Sequence, residues 1–408
     1  MINALKGMKD LTDQSAKYYK KIIEVCEDVA HNYGFEFINT PHLEQSILFK
    51  RSVGESSDIV GKEMYEFVDK GGNEVCMRPE GTAGAVRAYI EKKFDKNVSI
   101  KRWFYHGSMF RYERPQKGRL REFHQFGVES FGISSVYEDA SIILMLTEIF
   151  SRLDIKFKLI INSLGCSKCL PPYREKLINY LDNQEGFCED CKRRKTLNPI
   201  RVLDCKNPQC QNLLSQAPLL EQNLCQCCLD DFTLLQNILK ENEIDFTLDS
   251  KLVRGLDYYS KTAFEFISDE IGAQSAIAGG GRYDRLIEYL GGKSGFGIGF
   301  AMGVERIMAI LEQKDEKLQR EGIYLCSLDE VYISKIFKIA TRLRKKYKVL
   351  LSYEAKKLAK HLENADKAGV KNFLCIGENE FKNESLFYKN LKNKDEKTIK
   401  ISDLEQFL

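Results

Sequence analysis

The sequence predicts an α+β protein whose C-terminal part forms a separate, smaller α/β domain. Two observations lead to this fold class. Before residue 164 and after residue 245, strand-like alternation and a long hairpin pattern occur together with amphipathic helices. From residue 323 onwards, strand and helix patterns alternate, which is typical of a parallel α/β core. A length of 408 residues suits two or three domains.

A change in composition divides the chain. The segment 164–245 combines a cluster of cysteines with several prolines and amphipathic helical pieces, which indicates a mostly helical, cysteine-rich insertion. The predicted organisation is a first domain in two parts, 1–163 and 246–317, interrupted by this insertion and followed by a C-terminal domain at 322–408. The polar segment 312–322 is the predicted linker.

The net charge and the lack of long apolar runs exclude several classes of protein function. A net charge of +3 is too small to make the whole chain a binder of polyanions, so contact with nucleic acid must come from local patches. The first residues, MINALKGMKD, lack the apolar core of a signal peptide, and no uncharged apolar run approaches a membrane span. We therefore expect a cytoplasmic protein with no membrane partner.

The spacing of apolar residues predicts the helices and strands that precede the insertion. Apolar residues recur at helical intervals in 14–33 and 138–153, and 81–94 has a weaker helical pattern. Residues 64–80 alternate around a Gly-Gly turn and predict a hairpin. FKLIIN, at 157–162, has the composition of a buried strand.

The segment 103–132 predicts a longer hairpin that contains candidate ligand-binding residues. Two strand-like runs flank a loop containing PQKG, and arginines alternate with aromatic residues along both runs. Arginine forks fit phosphate, and aromatic faces can stack a base. Gln125 and Glu129 share one face, where a buried carboxylate is costly without a partner. These residues indicate a nucleotide or nucleic-acid phosphate site, although a solvated hairpin also fits the pattern.

Two short segments offer further site residues. Glu80 and Thr82 lie at a turn before a helix, where a carboxylate beside a hydroxyl can clamp an ammonium group or simply cap the helix. Arg254 precedes Tyr258 and Tyr259 in VRGLDYY; its permanent charge can stabilise phosphoryl oxygens, but an exposed arginine on a strand fits equally.

The stretch from 279 to 306 is rich in glycine and ends in an arginine. Its glycines allow a ligand or another backbone to approach closely, but they match neither the phosphate-binding P-loop nor the dinucleotide-binding fingerprint. Arg306 lies in the helix that follows and can reach a phosphate or a base, or remain solvated.

Nine of the 13 cysteines fall between 166 and 228. An odd total without a secretion signal argues against a disulfide framework. The spacings C-x2-C, C-x2-C, C-x4-C and C-x-C-C resemble zinc knuckles, while small buried thiols without metal are the alternative. The candidate ligands for one structural zinc are Cys166, Cys169, Cys188, Cys191, Cys225 and Cys228.

Several blocks together resemble the class II aminoacyl-tRNA synthetases, specifically the histidyl-tRNA synthetase family. The similarity spans nearly the whole chain, and blocks that are unspecific alone become specific when they occur in the family's order. The blocks are KGMKDL (6–11), motif 1 at 40–55, motif 2 at 110–125, the histidine signatures RGLDYY (254–259) and AGGGRYD (278–284), and motif 3 at 295–306.

The resemblance implies a fold and a reaction. It implies an antiparallel sheet flanked by helices and a C-terminal anticodon-binding domain. The implied enzyme activates L-histidine with ATP and Mg2+ to histidyl-adenylate and pyrophosphate, then charges the histidine tRNA as a homodimer. Zinc is not implied, because the cysteine-rich insertion is outside the family signature.

The resemblance also implies residue roles. Arg111 would hold the α-phosphate, Glu113 the adenine end and Arg119 the outer phosphates, with adenine between Phe123 and Arg306. The implied histidine-binding residues are Glu80, Gly81, Thr82, Arg111, Gln125, Glu129, Arg254, Tyr258 and Tyr259. Among these, Arg254 and Arg111 would be catalytic, and Glu129 with Tyr259 would read the imidazole nitrogens.

Two rival interpretations remain. One is a non-enzymatic paralogue of the synthetases that regulates the first enzyme of histidine biosynthesis, but such paralogues lose catalytic residues and the anticodon module. The other is a class II synthetase for proline or threonine, against which RGLDYY and Glu129 argue.

Overall fold

The structure is a computed structural model that describes residues 2–54, 57, 59–97, 100–116, 118–253, 258–271, 276–314 and 320–408. The chain divides into two compact units, residues 1–316 and 317–408. The first unit contains the insertion together with both parts of the predicted first domain. The finer division at 163, 245 and 317 stays a prediction.

A large sheet forms the centre of the first unit. The strands of this unit are β1 (Glu36–Phe37), β2 (Leu43–Gln45), β3 (Glu66–Val68), β4 (Glu74–Met77), β5 (Lys101–Phe110), β6 (Glu122–Phe131), β7 (Lys158–Ser163), β8 (Phe246–Leu248), β9 (Ser260–Ile267), β10 (Ala276–Arg282) and β11 (Gly297–Gly303). Eight of them form one sheet in the order β1-β5-β6-β11-β10-β9-β7-β8. Its six central strands run antiparallel, and β1 and β8 join the edges in parallel. The predicted antiparallel sheet is confirmed.

Helices cover both faces of this sheet. The helices of the unit are α1 (Asp13–Asn32), α2 (Ser46–Val53), α3 (Thr82–Glu91), α4 (Val136–Arg152), α5 (Leu170–Asp182), α6 (Glu189–Leu197), α7 (Pro208–Leu213), α8 (Gln226–Glu241), α9 (Leu286–Tyr289) and α10 (Val304–Gln313). Successive side chains of a strand point to opposite faces. The ring centroid of Trp103 lies 6.4 Å from that of Tyr89 in α3, whereas the ring centroid of Phe104 lies 5.1 Å from that of His31 in α1. Helices α3 and α1 therefore cover opposite faces of the sheet.

The predicted long hairpin is β5 with β6, paired from Lys101↔Phe131 to Phe110↔Glu122. On β6, the positions of Phe123, Gln125, Glu129 and Phe131 differ by multiples of two, so the four side chains share one face of the sheet. Phe131 stacks on Tyr89 of α3 at 4.5 Å. Gln125 and Glu129 therefore lie on the α3 face of the sheet.

A small second sheet has the order β2-β4-β3. The β3–β4 pair is the hairpin predicted at 64–80, and Asp69 accepts hydrogen bonds from the backbone N–H groups of Gly71 and Asn73 in its turn, at 2.8 and 2.9 Å. Helix α2 follows β2 directly. Apolar side chains on these elements remain exposed, among them Leu43, Ile47, Phe67 and Val68.

The insertion is built around a small core that continues to Val253 and Ala263, which lie beyond it in the chain. Residues 164–245, all of which are described, contain helices α5 to α8 and no strand. The core includes fully buried Tyr173, Leu177, Leu181 and Leu214. The predicted cysteine-rich, mostly helical insertion is present.

The second unit has an α/β fold. Its strands are β12 (Ile323–Ser327), β13 (Val349–Leu351), β14 (Asn372–Ile376), β15 (Ser385–Asn390) and β16 (Glu396–Lys400), and its helices are α11 (Ile333–Leu343), α12 (Leu358–Lys367), α13 (Glu378–Lys382) and α14 (Leu404–Phe407). The sheet order is β13-β12-β14-β15-β16. The first three strands are parallel, as predicted, and β15 and β16 add an antiparallel edge. None of the described helices in the chain combines the length and apolar character that crossing a membrane requires.

Candidate active site

A cavity of about 220 Å³ opens on the α3 face of the large sheet. The loop after β5, strands β9, β10 and β11, and the start of α10 surround it. Ten of the residues predicted from the sequence line it: Glu80, Thr82, Arg111, Glu113, Arg119, Phe123, Gln125, Tyr258, Tyr259 and Arg306. Residues from 80 to 306 therefore meet at one place, as the hypothesis of a single site requires.

One end of the cavity carries buried carboxylate and amide oxygens. The Glu80 carboxylate accepts the backbone N–H groups of Thr82 at 2.6 Å and of Ala83 at 2.8 Å. Burial raises the pKa of Glu80, although these N–H groups favour its ionised form. Glu80 thus satisfies N–H groups at the start of α3 and also lines the cavity. The N-cap position is Gly81 and not Thr82, and the role of Glu80 as an ammonium clamp stays a prediction.

Gln125 supplies an acceptor at the same end. Its Oε1 atom is buried and has no hydrogen-bond partner among the described residues. An unpaired buried carbonyl costs about 1–3 kcal/mol unless a ligand donates to it. Tyr258 and Tyr259 line this region, with ring centroids 4.6 Å apart. This end can accept a donor such as an ammonium group.

Glu129, predicted as a histidine-binding residue, is fully buried and is not among the residues that line the cavity, although its carboxyl group is hydrogen-bonded to Thr82, which does line it. The Tyr105 hydroxyl donates to its Oε1 at 3.1 Å, and the Tyr283 hydroxyl donates to Oε2. Burial raises the pKa of Glu129 to about 8, and the hydrogen bonds from Tyr283 and Thr82 oppose this rise. The carboxyl group that the sequence placed on the hairpin face is therefore held in an apolar, tyrosine-lined position.

Two glycines make room for these groups. A Cβ atom at Gly81 would lie 2.1 Å from the Tyr105 ring, and one at Gly299 would lie 2.1 Å from Glu129 Oε2. Gly299 is the register partner of Glu129 on the neighbouring strand β11. Gly81, predicted as a histidine-binding residue, is absent from the cavity lining and instead permits the close approach of Tyr105.

The other end of the cavity is strongly basic. The Arg111 guanidinium lies 5.2 Å from the Phe123 ring centroid, and its Nε donates to the Pro79 carbonyl at 2.9 Å. Arg119 Nε lies 2.7 Å from Glu113 Oε2. The carbonyl anchor and the carboxylate hold two forked cations in place, with an aromatic face beside them.

Arg306 adds a third cation from the first turn of α10. It donates to the backbone carbonyls of Gly118, at 3.4 Å, and of Ala276. Burial, followed by repulsion from Arg119 and Arg111, lowers its pKa. Three positive charges converge here, and Glu113 and Glu265 offset part of them; the arginines favour an anionic ligand such as a polyphosphate.

Sequence models of two families match the chain. The histidyl-tRNA synthetase model matches residues 7–307, and the anticodon binding domain model matches residues 307–408.

The chain belongs to the histidyl-tRNA synthetase family.

Individual relatives are similar over the full length. The histidine–tRNA ligase of Campylobacter jejuni is 79% identical over 408 residues, covering 100% of both chains, and that of Campylobacter fetus is 63% identical, covering 99% of both. Apo histidyl-tRNA synthetase of Staphylococcus aureus has a TM-score of 0.82 at 30% identity and covers 100% of this chain and 99% of its own. The enzyme from Nostoc, with a TM-score of 0.73 at 20% identity, covers the same shares and supports the fold.

Membership of the histidyl-tRNA synthetase family confirms the predicted fold, the enzyme class and the function of joining histidine to tRNA. The interpretation as a regulatory paralogue is not supported, because residues 307–408 match the anticodon binding domain that such paralogues lack. Similarity to proline or threonine enzymes is not needed to explain any described feature.

The structure also brings residues to the site that sequence reasoning missed. Glu265 of β9 lines the cavity, opposite Gly279 in register. Glu305 accepts the backbone N–H of His124 at 2.9 Å and contacts its Nδ1 at 2.7 Å. An acidic residue between Phe264 and Phe266 could have drawn attention to Glu265, but nothing local pointed to Glu305.

Arg254, the predicted catalytic cation, lies outside the described residues, which resume at Tyr258. Its role therefore stays a prediction.

The six candidate zinc ligands do not meet at one point. Eight cysteines instead form two groups of four, and within each group the sulfur atoms lie within 4.8 Å of one another. The base cluster contains Cys166, Cys169, Cys225 and Cys228, and the inner cluster contains Cys188, Cys191, Cys205 and Cys210. Cys205 and Cys210, which were not among the candidates, therefore complete the group that Cys188 and Cys191 begin.

Proposed function

We propose that the cavity catalyses both steps of histidine–tRNA ligation: formation of histidyl-adenylate and pyrophosphate from histidine and ATP, and transfer of histidine to the 3′ end of its tRNA. One observation carries this assignment. The cavity has acceptor groups at one end and converging arginines at the other, within about 220 Å³. An ammonium group and a polyphosphate need these opposite polarities, and the new acyl-phosphate bond forms between them.

The acceptor end binds histidine. The substrate ammonium donates to Glu80 and to the unpaired Oε1 of Gln125, with the Thr82 hydroxyl as a further partner. The imidazole lies toward Glu129 and Tyr259. A carboxyl group and a phenol can each exchange hydrogen bonds with the two ring nitrogens, and an isostere that cannot do so is rejected by orders of magnitude.

The basic end binds ATP. Arg111 holds the α-phosphate, Arg119 contacts the outer phosphates, and Glu113 accepts from the adenine amino group. The base stacks on Phe123 and is covered by Arg306, a proposal supported by the presence of both residues in the cavity lining. Glu265 offers a carboxylate for Mg2+, which prefers carboxylate and phosphate oxygens.

Catalysis needs charge stabilisation rather than a base. The substrate carboxylate is already a nucleophile, so the developing charge on the pentacoordinate phosphorus is what the site must stabilise. Arg111 and Arg254 supply this charge. Arginine suits the task because it remains protonated even when buried.

Further partners complete the proposal. The C-terminal unit, residues 317–408, binds the anticodon region of the tRNA, and the insertion contains a structural zinc. The exposed apolar residues Leu43 and Phe67 form part of the interface of a homodimer: the register of the small sheet puts both on one face, and an exposed apolar patch needs a cover. Charging of tRNA for translation places the enzyme in the cytoplasm.

Pyrophosphate exchange with a panel of amino acids tests the proposal. We expect histidine alone to stimulate exchange. Arg254→Ala should lower the rate about 100-fold or more, since it removes a cation from the transition state. Arg152→Ala, which changes a surface arginine paired with Asp28 and Glu148, is the control and should leave the rate unchanged. Exchange without histidine dependence, or a loss within about threefold for Arg254→Ala, would contradict the assignment.

A further inference from the structure

We propose that the insertion binds two structural zinc ions, one in the base cluster and one in the inner cluster. This inference goes beyond the single zinc included above, and it does not depend on the roles assigned in the catalytic cavity. It rests on sulfur geometry, on backbone donors to sulfur and on the positions of the clusters in the chain.

The spacing of the sulfur atoms fits a mononuclear tetrahedral ion. Zinc–thiolate bonds of about 2.3 Å place the four sulfurs of a tetrahedron about 3.8 Å apart. Cys166 Sγ lies 3.7 Å from Cys169 Sγ and 3.8 Å from Cys225 Sγ, and Cys188 Sγ lies 3.9 Å from Cys205 Sγ. A disulfide requires about 2.05 Å, and all of these cysteines are free thiols.

An iron–sulfur cluster fits these distances poorly. Several metal ions would stand between its thiolates and force them farther apart than the 4.8 Å limit that both groups satisfy. Zinc is favoured over a single iron ion because it has no redox chemistry and prefers closed tetrahedral sites with four thiolates.

Backbone N–H groups point at the sulfur atoms of the base cluster. The N–H of Lys168 donates to Cys166 Sγ at 3.4 Å, and the N–H of Cys225 donates to Cys169 Sγ at 3.1 Å. Donors of this kind favour the thiolate form and orient metal-binding side chains.

The inner cluster repeats this arrangement with different residues. The N–H of Asn207 donates to Cys205 Sγ at 3.4 Å, and the N–H of Cys188 donates to Cys210 Sγ at 3.3 Å. In both clusters one donor lies two residues after the accepting cysteine and the other comes from a separate segment. Thiols used only as small apolar side chains have no reason to converge in fours with matching donors.

The base cluster joins the two ends of the insertion. Cys166 and Cys169 follow strand β7, and Cys225 and Cys228 lie at the start of α8, which leads to β8 beside β7. A zinc ion here ties the ends of a loop of about 60 residues and limits the entropy of its unfolded state.

The inner cluster lies wholly within the insertion. Cys188 is the N-cap of α6 and Cys191 lies in its first turn, whereas Cys205 lies just before α7 and Cys210 lies within α7. Cys191, Cys205 and Cys210 are members of the buried core of the insertion. A core this small gains stability from a metal that crosslinks its helices.

Elemental analysis of the full-length protein, purified without chelator, tests the proposal. We expect about two zinc ions and no stoichiometric iron per chain. Cys166→Ser and Cys188→Ser should each retain about one zinc. Cys227→Ser is the matched control, because Cys227 lies in the same segment but is exposed and belongs to neither cluster; it should retain two.

A second measurement guards against variants that fail to fold. Titration of the unaltered protein with an organomercurial thiol reagent should release two zinc ions, which a colorimetric zinc indicator detects. One zinc or less per chain by both methods, or a zinc content that Cys188→Ser leaves unchanged, overturns the two-site proposal. These readouts do not involve aminoacylation, so they fail or succeed independently of the catalytic assignment.

Discussion

Replacing Glu129 with glutamine should make the stability of the protein less sensitive to alkaline pH and should lower histidine-dependent exchange about 100-fold or more. Glu129 is fully buried and is hydrogen-bonded to Tyr105 and Tyr283. Its pKa of about 8, caused mainly by burial, keeps the carboxyl group protonated near neutral pH. Glutamine has nearly the same shape as this protonated form but cannot ionise.

The magnitude follows from the difference in proton binding. Because the folded chain holds this proton and the unfolded chain loses it above about pH 4.5, the stabilisation by the proton is complete below pH 4.5 and is lost as the pH rises through about 8. The whole difference corresponds to about 5 kcal/mol. Between pH 6 and pH 9 the loss of stability is about 3 kcal/mol. The loss levels off above about pH 8, because the folded chain then also releases the proton.

Urea unfolding at several pH values measures this contribution. The free energy of unfolding of the unaltered protein should fall by about 3 kcal/mol more than that of Glu129→Gln between pH 6 and pH 9. Glu138→Gln is the control. Burial opposes ionisation of Glu138, but hydrogen bonds from Arg102 and Ser130 lower its pKa, so its charge is constant over this range. Its substitution should change stability by an amount that is independent of pH.

Histidine-dependent pyrophosphate exchange gives the functional half of the prediction. Glutamine can donate and accept hydrogen bonds, but it cannot ionise to pair with a protonated imidazole, so exchange should fall about 100-fold or more. A constant difference in stability between the unaltered protein and Glu129→Gln from pH 6 to pH 9 would refute the argument from burial. Near-normal exchange by Glu129→Gln would refute its contact with the substrate.

Two further substitutions test other parts of the molecule. Gln125→Ala should raise KM for histidine about tenfold and leave KM for ATP within about twofold, because it removes one acceptor for the substrate ammonium; an equal rise in both constants would contradict the proposed division of the cavity. Phe67→Asp should convert the homodimer to a monomer in sedimentation velocity, since it places a charge in the exposed apolar patch. Phe337→Asp, which changes an equally exposed phenylalanine of the second unit, should leave the mass unchanged. A dimer that survives Phe67→Asp would show that this patch is not the interface.

Sequence patterns predicted much of the fold because the relevant signals are local. The alternation in 103–132 and the helical spacing in 138–153 depend on neighbouring residues, and both elements are present as β5 with β6 and as α4. The antiparallel order of the large sheet depends on contacts between distant strands, and it was available only through the resemblance of the motifs to a known family.

The candidate site shows the same division. Arginines among aromatic residues in 110–125 indicate a phosphate site through residue type and spacing alone. The sequence did not predict that Gly81 and Gly299 leave space for the Tyr105 ring and the Glu129 carboxyl group. These contacts join residues far apart in the chain, and no local pattern distinguishes such a glycine from any other. Glu265 escaped notice for a related reason, since only the register of β9 with β10 brings it to the cavity.

By itself, the sequence determined the chemical inventory of this protein: forked cations and aromatic faces for a nucleotide, buried acids for an amino acid, and thiols in knuckle spacing. Local spacing and residue type carry that information. Only the tertiary structure decided which of these groups meet. It joined Glu80 to Arg306 across one cavity, buried Glu129 against Thr82 of its lining, and divided eight cysteines into two clusters of four. Such pairings depend on strand register and on helix packing between segments far apart in the chain, which no local pattern specifies.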